Sequence, residues 1–203
     1  MSKLTVIISF HNAIKHKDIL LANIRRNAVL DINFIIIDDG SKDNLLNLIK
    51  NESIDTDILF IKNPKKYGIS KSRNIGINNC QSDFLLFCDV DDSLDLNPLN
   101  DLNMILNKKF DFQIFNRQYT NKINRVQDSV NHGYQGILNS ANISKLVIAY
   151  LHSPVGRSIL IHCWGCIYNR KFLIENGISF NESLDKYEDS LFVSKVLTTS
   201  KCI

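Results

Sequence analysis

Short, strongly apolar runs recur along the first 115 residues, and each is followed by a polar cluster and then by an amphipathic stretch. The runs are Leu4 to Phe10, Phe34 to Ile37, Ile58 to Ile61, Phe84 to Cys88 and Phe110 to Phe115. Between them lie segments with helical spacing. Lys15 to Leu30 carries Ile19, Leu20, Ile24 and Val29; Asp43 can cap a helix with Leu45, Leu46, Leu48 and Ile49; Ser70 to Cys80 and Leu99 to Leu106 follow. Strands this short and apolar have no wet face, so the alternation predicts a mostly parallel sheet with helices on both sides. Ligands bind such sheets beyond the carboxyl ends of the strands. Polar clusters at Ser9 to Asn12, Asp38 to Ser41 and Asp89 to Asp92 fall at those ends.

Residues 116–203 are less regular. Gln118 to Val130 reads as a hairpin, Ala141 to Tyr150 as a helix, and Leu151 to Ile161, with Pro154 and Gly156, as a loop. Lys171 to Asn176 and Glu188 to Thr199 read as helices, the latter with Leu191, Phe192, Val196 and Leu197. Neither a linker nor an internal repeat divides the chain, so one domain over residues 1–203 is expected, with halves at 1–115 and 116–203.

Charge and composition narrow the function. With 24 basic and 21 acidic residues the net charge is +3, which gives no basis for nucleic-acid binding. No apolar run approaches the ~18 residues of a membrane span. The start, basic and then apolar, lacks a small-residue cleavage site and reads as a buried strand, so a cytoplasmic location is expected. Lys outnumbers Arg 17 to 7 and Asn and Ile abound, a bias of AT-rich bacterial genomes. Five irregularly spaced cysteines do not form a disulfide framework. Cys163-Trp164-Gly165-Cys166 is a CxxC without a second ligand pair, which favours ordinary reduced thiols over metal or redox chemistry.

Four clusters carry chemistry. Asp89, Asp91 and Asp92 repel one another unless a cation lies among them, and a hard divalent ion shared with phosphate oxygens suits them; a solvated turn is the plainer reading. Asp38-Asp39-Gly40-Ser41 can hydrogen-bond a nucleoside or simply turn the chain. Gly68 to Gly76 opens a helix that could bring Arg73 toward a diphosphate or base, or merely cover the surface. Glu188-Asp189 suits a helix N-terminus and also a positioned carboxylate base.

In this order the clusters resemble those of the inverting family 2 glycosyltransferases of the GT-A fold. The matching stretches are Phe10-His11-Asn12, Asp38 to Ser41, Gly68 to Gly76, Asp89 to Asp92 and Glu188-Asp189. The resemblance implies a Rossmann-like, mostly parallel mixed sheet flanked by helices, with a nucleotide-sugar-binding half at 1–115 and an acceptor and catalytic-base half at 116–203. It implies a base pocket of Ser9, His11 and Asp39, with Asp39 facing uracil N3, and Arg73 beside the nucleotide. Asp89 and Asp91 would serve the nucleotide, and Asp92 with Asp91 would ligate Mn²⁺ or Mg²⁺. Asp189 would be the catalytic base, with Glu188 positioning groups, and Trp164 would lie on the acceptor side, although a core aromatic fits as well. The implied reaction moves a sugar, from UDP first, to a hydroxyl of a glycan or lipid-linked acceptor in bacterial surface polysaccharide synthesis. Association with the inner membrane face is expected only through further C-terminal residues.

Two features depart from the family. Ser9 and His11 stand where Pro and Tyr are usual, which bears on the nucleotide's identity, and the sequence ends 14 residues after Asp189, as expected of a truncated or short form. The rival readings are a nucleotidyltransferase and a nucleotide-sugar-binding protein without activity. The first lacks a Gly-rich phosphate loop, because Ser9 to Lys17 contains no Gly, and the same absence counts against an NAD-dependent oxidoreductase. The second is disfavoured by the retained aspartates and Glu188-Asp189.

Overall fold

Strand β1 (Leu4–Phe10) is buried at every position, and its side chains feed two apolar layers. Leu4, Val6, Ile8 and Phe10 enter one layer and Ile7 the other. In this computed structural model, residues 3–97, 110–114, 118–120, 127–129 and 162–201 are described, together with Leu102 and Leu106. From β1 the chain forms α1 (Lys17–Asn27), β2 (Asn33–Asp38), α2 (Leu45–Lys50), β3 (Ile58–Lys62), α3 (Ile69–Asn79) and β4 (Phe84–Phe87). It continues through β5 (Phe112–Ile114), β6 (Gln118–Thr120), β7 (Gln127–Ser129), β8 (Cys166–Asn169), α4 (Arg170–Glu175) and α5 (Glu188–Thr199). The main sheet has six strands in the order β3-β2-β1-β4-β8-β5. The first four are parallel, and β8 runs antiparallel between β4 and β5. Strands β6 and β7 pair as the expected hairpin.

Helices cover both faces, as the apolar strands require. Leu20, Leu21 and Ile24 of α1 pack with Val6, Ile8, Phe34 and Ile36. On the other face, Ile77 of α3, Leu173 of α4 and Phe192, Val193 and Val196 of α5 join Ile7, Ile35 and Phe87. Aromatic rings centre this layer: Phe180 stacks on Phe192 at 4.1 Å, and both meet Phe87 edge-on.

The antiparallel strand β8 has no counterpart among the runs predicted from the sequence. It is only four residues long, and its alternation is hidden because Cys166, Ile167 and Tyr168 are all buried. Gly165, at φ 76°, turns the chain into it. Both cysteines of the CxxC are therefore core residues, and the Tyr168 hydroxyl donates to the Cys163 carbonyl at 2.8 Å. Among the described residues no His, Cys, Asp and Glu side chains form a group of three able to hold a metal, and no helix is long and apolar enough to cross a membrane. Within the expected helix Leu99 to Leu106, Leu102 and Leu106 are helical and buried. The expected helix Ala141 to Tyr150 and the loop Leu151 to Ile161 lie outside the described residues, as does Cys202.

Helix α3 approaches the sheet closely because Gly76 has no side chain. A Cβ there would lie 2.5 Å from Cγ2 of Ile7 and 3.2 Å from Cδ1 of Ile37. Ile7 is β-branched and buried, so it has little room to yield. Gly76→Ala is expected to lower unfolding free energy by about 1–3 kcal/mol through overpacking, despite alanine's better helix propensity. Urea denaturation beside the parent checks this; equal or greater stability would show that α3 does not rest on Ile7.

Candidate active site

Adjacent strand ends bring the polar clusters together. Phe10 pairs with Asp38 across β1 and β2, and Ile7 pairs with Phe87 across β1 and β4. Ser9 is buried opposite Ile37. His11 Nδ1 donates to the Asp39 carbonyl at 2.8 Å, and the Asn12 N–H donates to Ser41 Oγ at 2.8 Å. Asn12, at φ 51°, also accepts the Lys42 N–H at 2.9 Å. The Asp38 carboxylate accepts the Ser41 N–H at 2.7 Å, so the first two clusters form one cross-linked unit.

Asp39 is 4% exposed, and both its oxygens are engaged. Oδ1 accepts from the Tyr67 N–H at 2.8 Å and from Asn63 Nδ2 at 2.9 Å; Oδ2 accepts from the Gly68 N–H at 2.8 Å. Burial works against its charge, but these donors, with Ser72, outweigh it and hold the carboxyl below its ordinary range. Asp39 thus draws the segment before α3 over the end of β2. Gly40 permits the close approach: it has φ 67°, and a Cβ there would meet the Lys65 carbonyl carbon at 2.3 Å.

The third cluster is a turn after β4, in which the Asp92 N–H donates to the Asp89 carbonyl at 3.1 Å. Asp89 is half-buried, Asp91 exposed and Asp92 half-buried. Their charges are felt in common at Cys88, whose thiol is pushed well up by burial and then by Asp92, Asp89 and Asp91.

Arg73 joins this turn to the far end of the chain. Its side chain is 5% exposed. Nη2 donates to Asp89 Oδ1 at 2.8 Å, while Nη1 donates to Glu188 Oε1 at 3.3 Å and to Asp189 Oδ1. Its guanidinium carbon lies 5.3 Å from the centre of the Phe180 ring. Burial opposes the guanidinium's charge, and its anionic neighbours more than offset this, holding the pKa above the ordinary value. The Cys163 thiol beside it is itself pushed well up by burial and is uncharged at neutral pH, so Asp189 and Asp89 carry that effect. Expected beside a nucleotide, Arg73 is here the centre of a carboxylate cluster.

The neighbouring Asn74, part of the Gly68 to Gly76 stretch but given no role of its own by the sequence, holds the chain at Phe180. It donates to the Phe180 carbonyl at 2.9 Å and accepts the Phe180 N–H at 2.9 Å, as a sheet partner would. Asp189 Oδ2 accepts the Cys163 N–H at 3.4 Å and lies 3.9 Å from His162 Nδ1. His162 stacks on half-buried Trp164 with ring centres 5.2 Å apart, so Trp164 stands within one residue's reach of Asp189.

One guanidinium faces three carboxylates, and Arg73 contacts only Asp89 of the Asp89–Asp92 turn. Hard oxygen donors at Asp91 and Asp92 suit a divalent ion that takes one or two carboxylates and completes its shell with phosphate oxygens. The chemistry of these two carboxylates therefore fits Mn²⁺ or Mg²⁺.

Comparison with known proteins agrees with this geometry. The pattern of Glycosyl transferase family 2 matches residues 5–175, which includes every cluster except Glu188-Asp189. A teichoic acid poly(glycerol phosphate) polymerase of Staphylococcus epidermidis is 32% identical over 96 residues, or 46% of this chain and 13% of that protein. The crystal structure of S. aureus TarS 1-349 superposes with a TM-score of 0.76 at 20% identity, covering 98% of this chain and 56% of that one. TarS has also been solved in complex with UDP-GlcNAc. A mannosyltransferase from Pyrobaculum calidifontis, in complex with GDP-Man and Mn²⁺, superposes with a TM-score of 0.62 at 13% identity over 96% of this chain and 51% of that one. The chain thus spans about half the length of these solved structures, and its matched stretch covers about an eighth of the polymerase. The likeness to the solved structures shows the GT-A fold.

Two expectations follow from the site's electrostatics. Arg73→Met leaves Glu188 and Asp189 without their counter-charge and should cost about 3 kcal/mol at pH 7, with the Asp89 share screened by solvent. Urea denaturation beside the parent checks this; a loss below about 1 kcal/mol would assign Arg73 the weight of a surface ion pair only. For Asp39, whose folded pKa is depressed, stability is present above the unfolded value and lost as pH falls through the folded one. The gap in unfolding free energy between the parent and Asp39→Asn should therefore be full at pH 7 and close below about pH 4. A gap independent of pH would show that the charge of Asp39 is not what holds the Tyr67–Gly68 backbone.

Proposed function

The chain belongs to glycosyl transferase family 2, and from that premise we propose that it transfers a sugar from a nucleoside-diphosphate donor to an acceptor hydroxyl with inversion. The observation that carries this reading is the Arg73 cluster. It brings Asp89, from the turn of the expected metal ligands, and Asp189, the expected base, onto one guanidinium, though 100 residues separate them in sequence. A site for leaving-group departure and a site for proton removal are then neighbours, as a single displacement requires.

The donor's base would lie against Ser9, His11 and Asp39, with its ribose near Asp89 and Asp91. Asp92 and Asp91 would hold Mn²⁺ or Mg²⁺, whose chemistry there is Lewis-acid stabilisation of the departing diphosphate. The acceptor oxygen attacks the anomeric carbon as the bond from that carbon to the diphosphate oxygen breaks, and the nucleoside diphosphate leaves with the electron pair. The acceptor's proton passes to Asp189 Oδ2, since Oδ1 is held by Arg73. Glu188, on the same Nη1, keeps Arg73 and thereby Asp189 in place. Trp164, stacked on His162 beside Asp189, offers an aromatic face to the acceptor sugar. The UDP-GlcNAc complex of TarS supports a UDP-sugar donor, and the match to a teichoic acid polymerase supports a glycan or lipid-linked acceptor in bacterial surface-polymer synthesis.

Asp189→Asn preserves size and removes basicity. Transfer in single-turnover assays should fall about 10²–10⁴-fold while donor affinity changes little. Glu188→Gln should do less. Asp92→Ala should abolish the Mn²⁺ dependence of UDP binding measured by calorimetry. Full transfer by Asp189→Asn would end the base assignment, and tight nucleotide binding without any transfer or donor hydrolysis in the parent would make the protein a nucleotide-sugar binder. A preference for GDP over UDP would show that Ser9 and His11 recast the base pocket.

A further inference from the structure

Helix α1 carries two buried asparagines one turn apart, Asn23 and Asn27, on a side otherwise made of Leu20, Ile24 and similar residues. Asparagine is a poor helix former and costly to bury unless its amide is satisfied. Both amides are satisfied, and on the same segment. Asn23 Nδ2 donates to the Asp92 carbonyl at 2.7 Å, and Asn23 Oδ1 accepts the Leu94 N–H at 2.9 Å. Asn27 Oδ1 accepts the Leu96 N–H at 2.9 Å, and Asn27 Nδ2 donates to the Leu94 carbonyl at 3.0 Å. Helix α1 thus offers residues 92–96 the alternating donors and acceptors of a missing strand. Within that ladder Asp92 is gripped at both ends of its own backbone: its N–H by the Asp89 carbonyl at 3.1 Å, its carbonyl by Asn23.

We propose that Asn23 is a positioning residue for Asp92, fixing its Cα against α1 so that its carboxylate meets the divalent ion without ordering on binding. This rests on the reading of Asp91 and Asp92 as metal ligands. Asn27 holds only the chain beyond that turn, which makes it the internal control. A residue that orients a ligand typically governs metal affinity by 10–100-fold. A residue that only stabilises the fold leaves the metal requirement untouched.

The experiment is calorimetric titration of UDP across a Mn²⁺ series for the parent, Asn23→Ala and Asn27→Ala, with melting temperatures alongside. Both variants should melt lower, because each strands backbone groups of residues 92–96. Only Asn23→Ala should raise the Mn²⁺ concentration for half-maximal UDP binding, by tenfold or more, with affinity recovering at saturating Mn²⁺. An unchanged half-saturation in Asn23→Ala, or an equal rise in Asn27→Ala, overturns the proposal. If Asn23→Ala does not fold, the isosteric Asn23→Asp decides. It keeps the acceptor for Leu94 but turns the donor to Asp92 into a repulsion. The added negative charge alone would lower the Mn²⁺ requirement, whereas a displaced turn raises it, so a lowered or unchanged requirement overturns the proposal. UDP binding to the parent that ignores Mn²⁺ would locate the failure in the metal reading itself, and the proposal falls with it.

Discussion

A buried guanidinium is costly unless its donors find acceptors, and Arg73 finds them on two other parts of the molecule. It projects from α3, takes Asp89 from the end of β4, and takes Glu188 and Asp189 from the first turn of α5. Those two carboxylates also face the positive end of α5, so the same charges that pair with Arg73 favour the helix start. The result is a registry device. Helix α5, through its Phe192, could slide over the Phe87 and Phe180 rings at modest cost, because packed aromatic rings tolerate small shifts. It cannot slide while its first turn is tied to a guanidinium that is itself tied to β4.

Asparagine amides do for the loops what the sheet does for the strands. Chain segments beyond a strand end lose their ladder partners, and an unpaired buried backbone group costs about as much as a lost hydrogen bond. Asn74 supplies a donor and an acceptor to Phe180; Asn23 and Asn27 do so along residues 92–96; the Asn12 amide, just past the end of β1, accepts the Lys42 N–H; Asn63 reaches Asp39 and Ser72. Each amide links elements far apart in sequence. The rim of the site is therefore set by side-chain amides projecting from regular elements, which is how irregular loops acquire fixed geometry.

This division explains what could be read from the residues alone. Strands β1, β2 and β4 and helix α5 announce themselves, because burial on both faces or helical spacing leaves a local signature within a few residues. Strand β8 does not, since its place between β4 and β5 depends on pairing partners more than 50 residues away. The clusters were legible as chemistry, and their position at the strand ends followed from the parallel sheet. The partners of each side chain were not. Asp39 and Arg73 both look outward-facing in sequence, one in an Asp-Gly turn and one in a polar helix. Their burial is decided by the backbone of Tyr67 and Gly68 and by Glu188 and Asp189, contacts that no local pattern encodes. Asn23 and Asn27 did leave a trace: two poor helix formers one turn apart among Leu20 and Ile24 have no reason to be buried unless a loop needs them.

The charge count at the centre then bears on how the proposed donor would be held. Arg73 meets three carboxylates, and Asp91 and Asp92 lie on the same turn as one of them. On the proposed reading a nucleoside diphosphate would bring further negative charge to this turn. Arg73 could not turn to meet it without leaving Glu188 and Asp189 unpaired in a half-buried setting, a cost of several kcal/mol. The proposed division of labour follows from that cost: Arg73 would stay with the proposed base, and a divalent ion at Asp91 and Asp92 would answer the leaving group. The two halves of the displacement would then have separate counter-charges, with Asp89 touching the first and neighbouring the second.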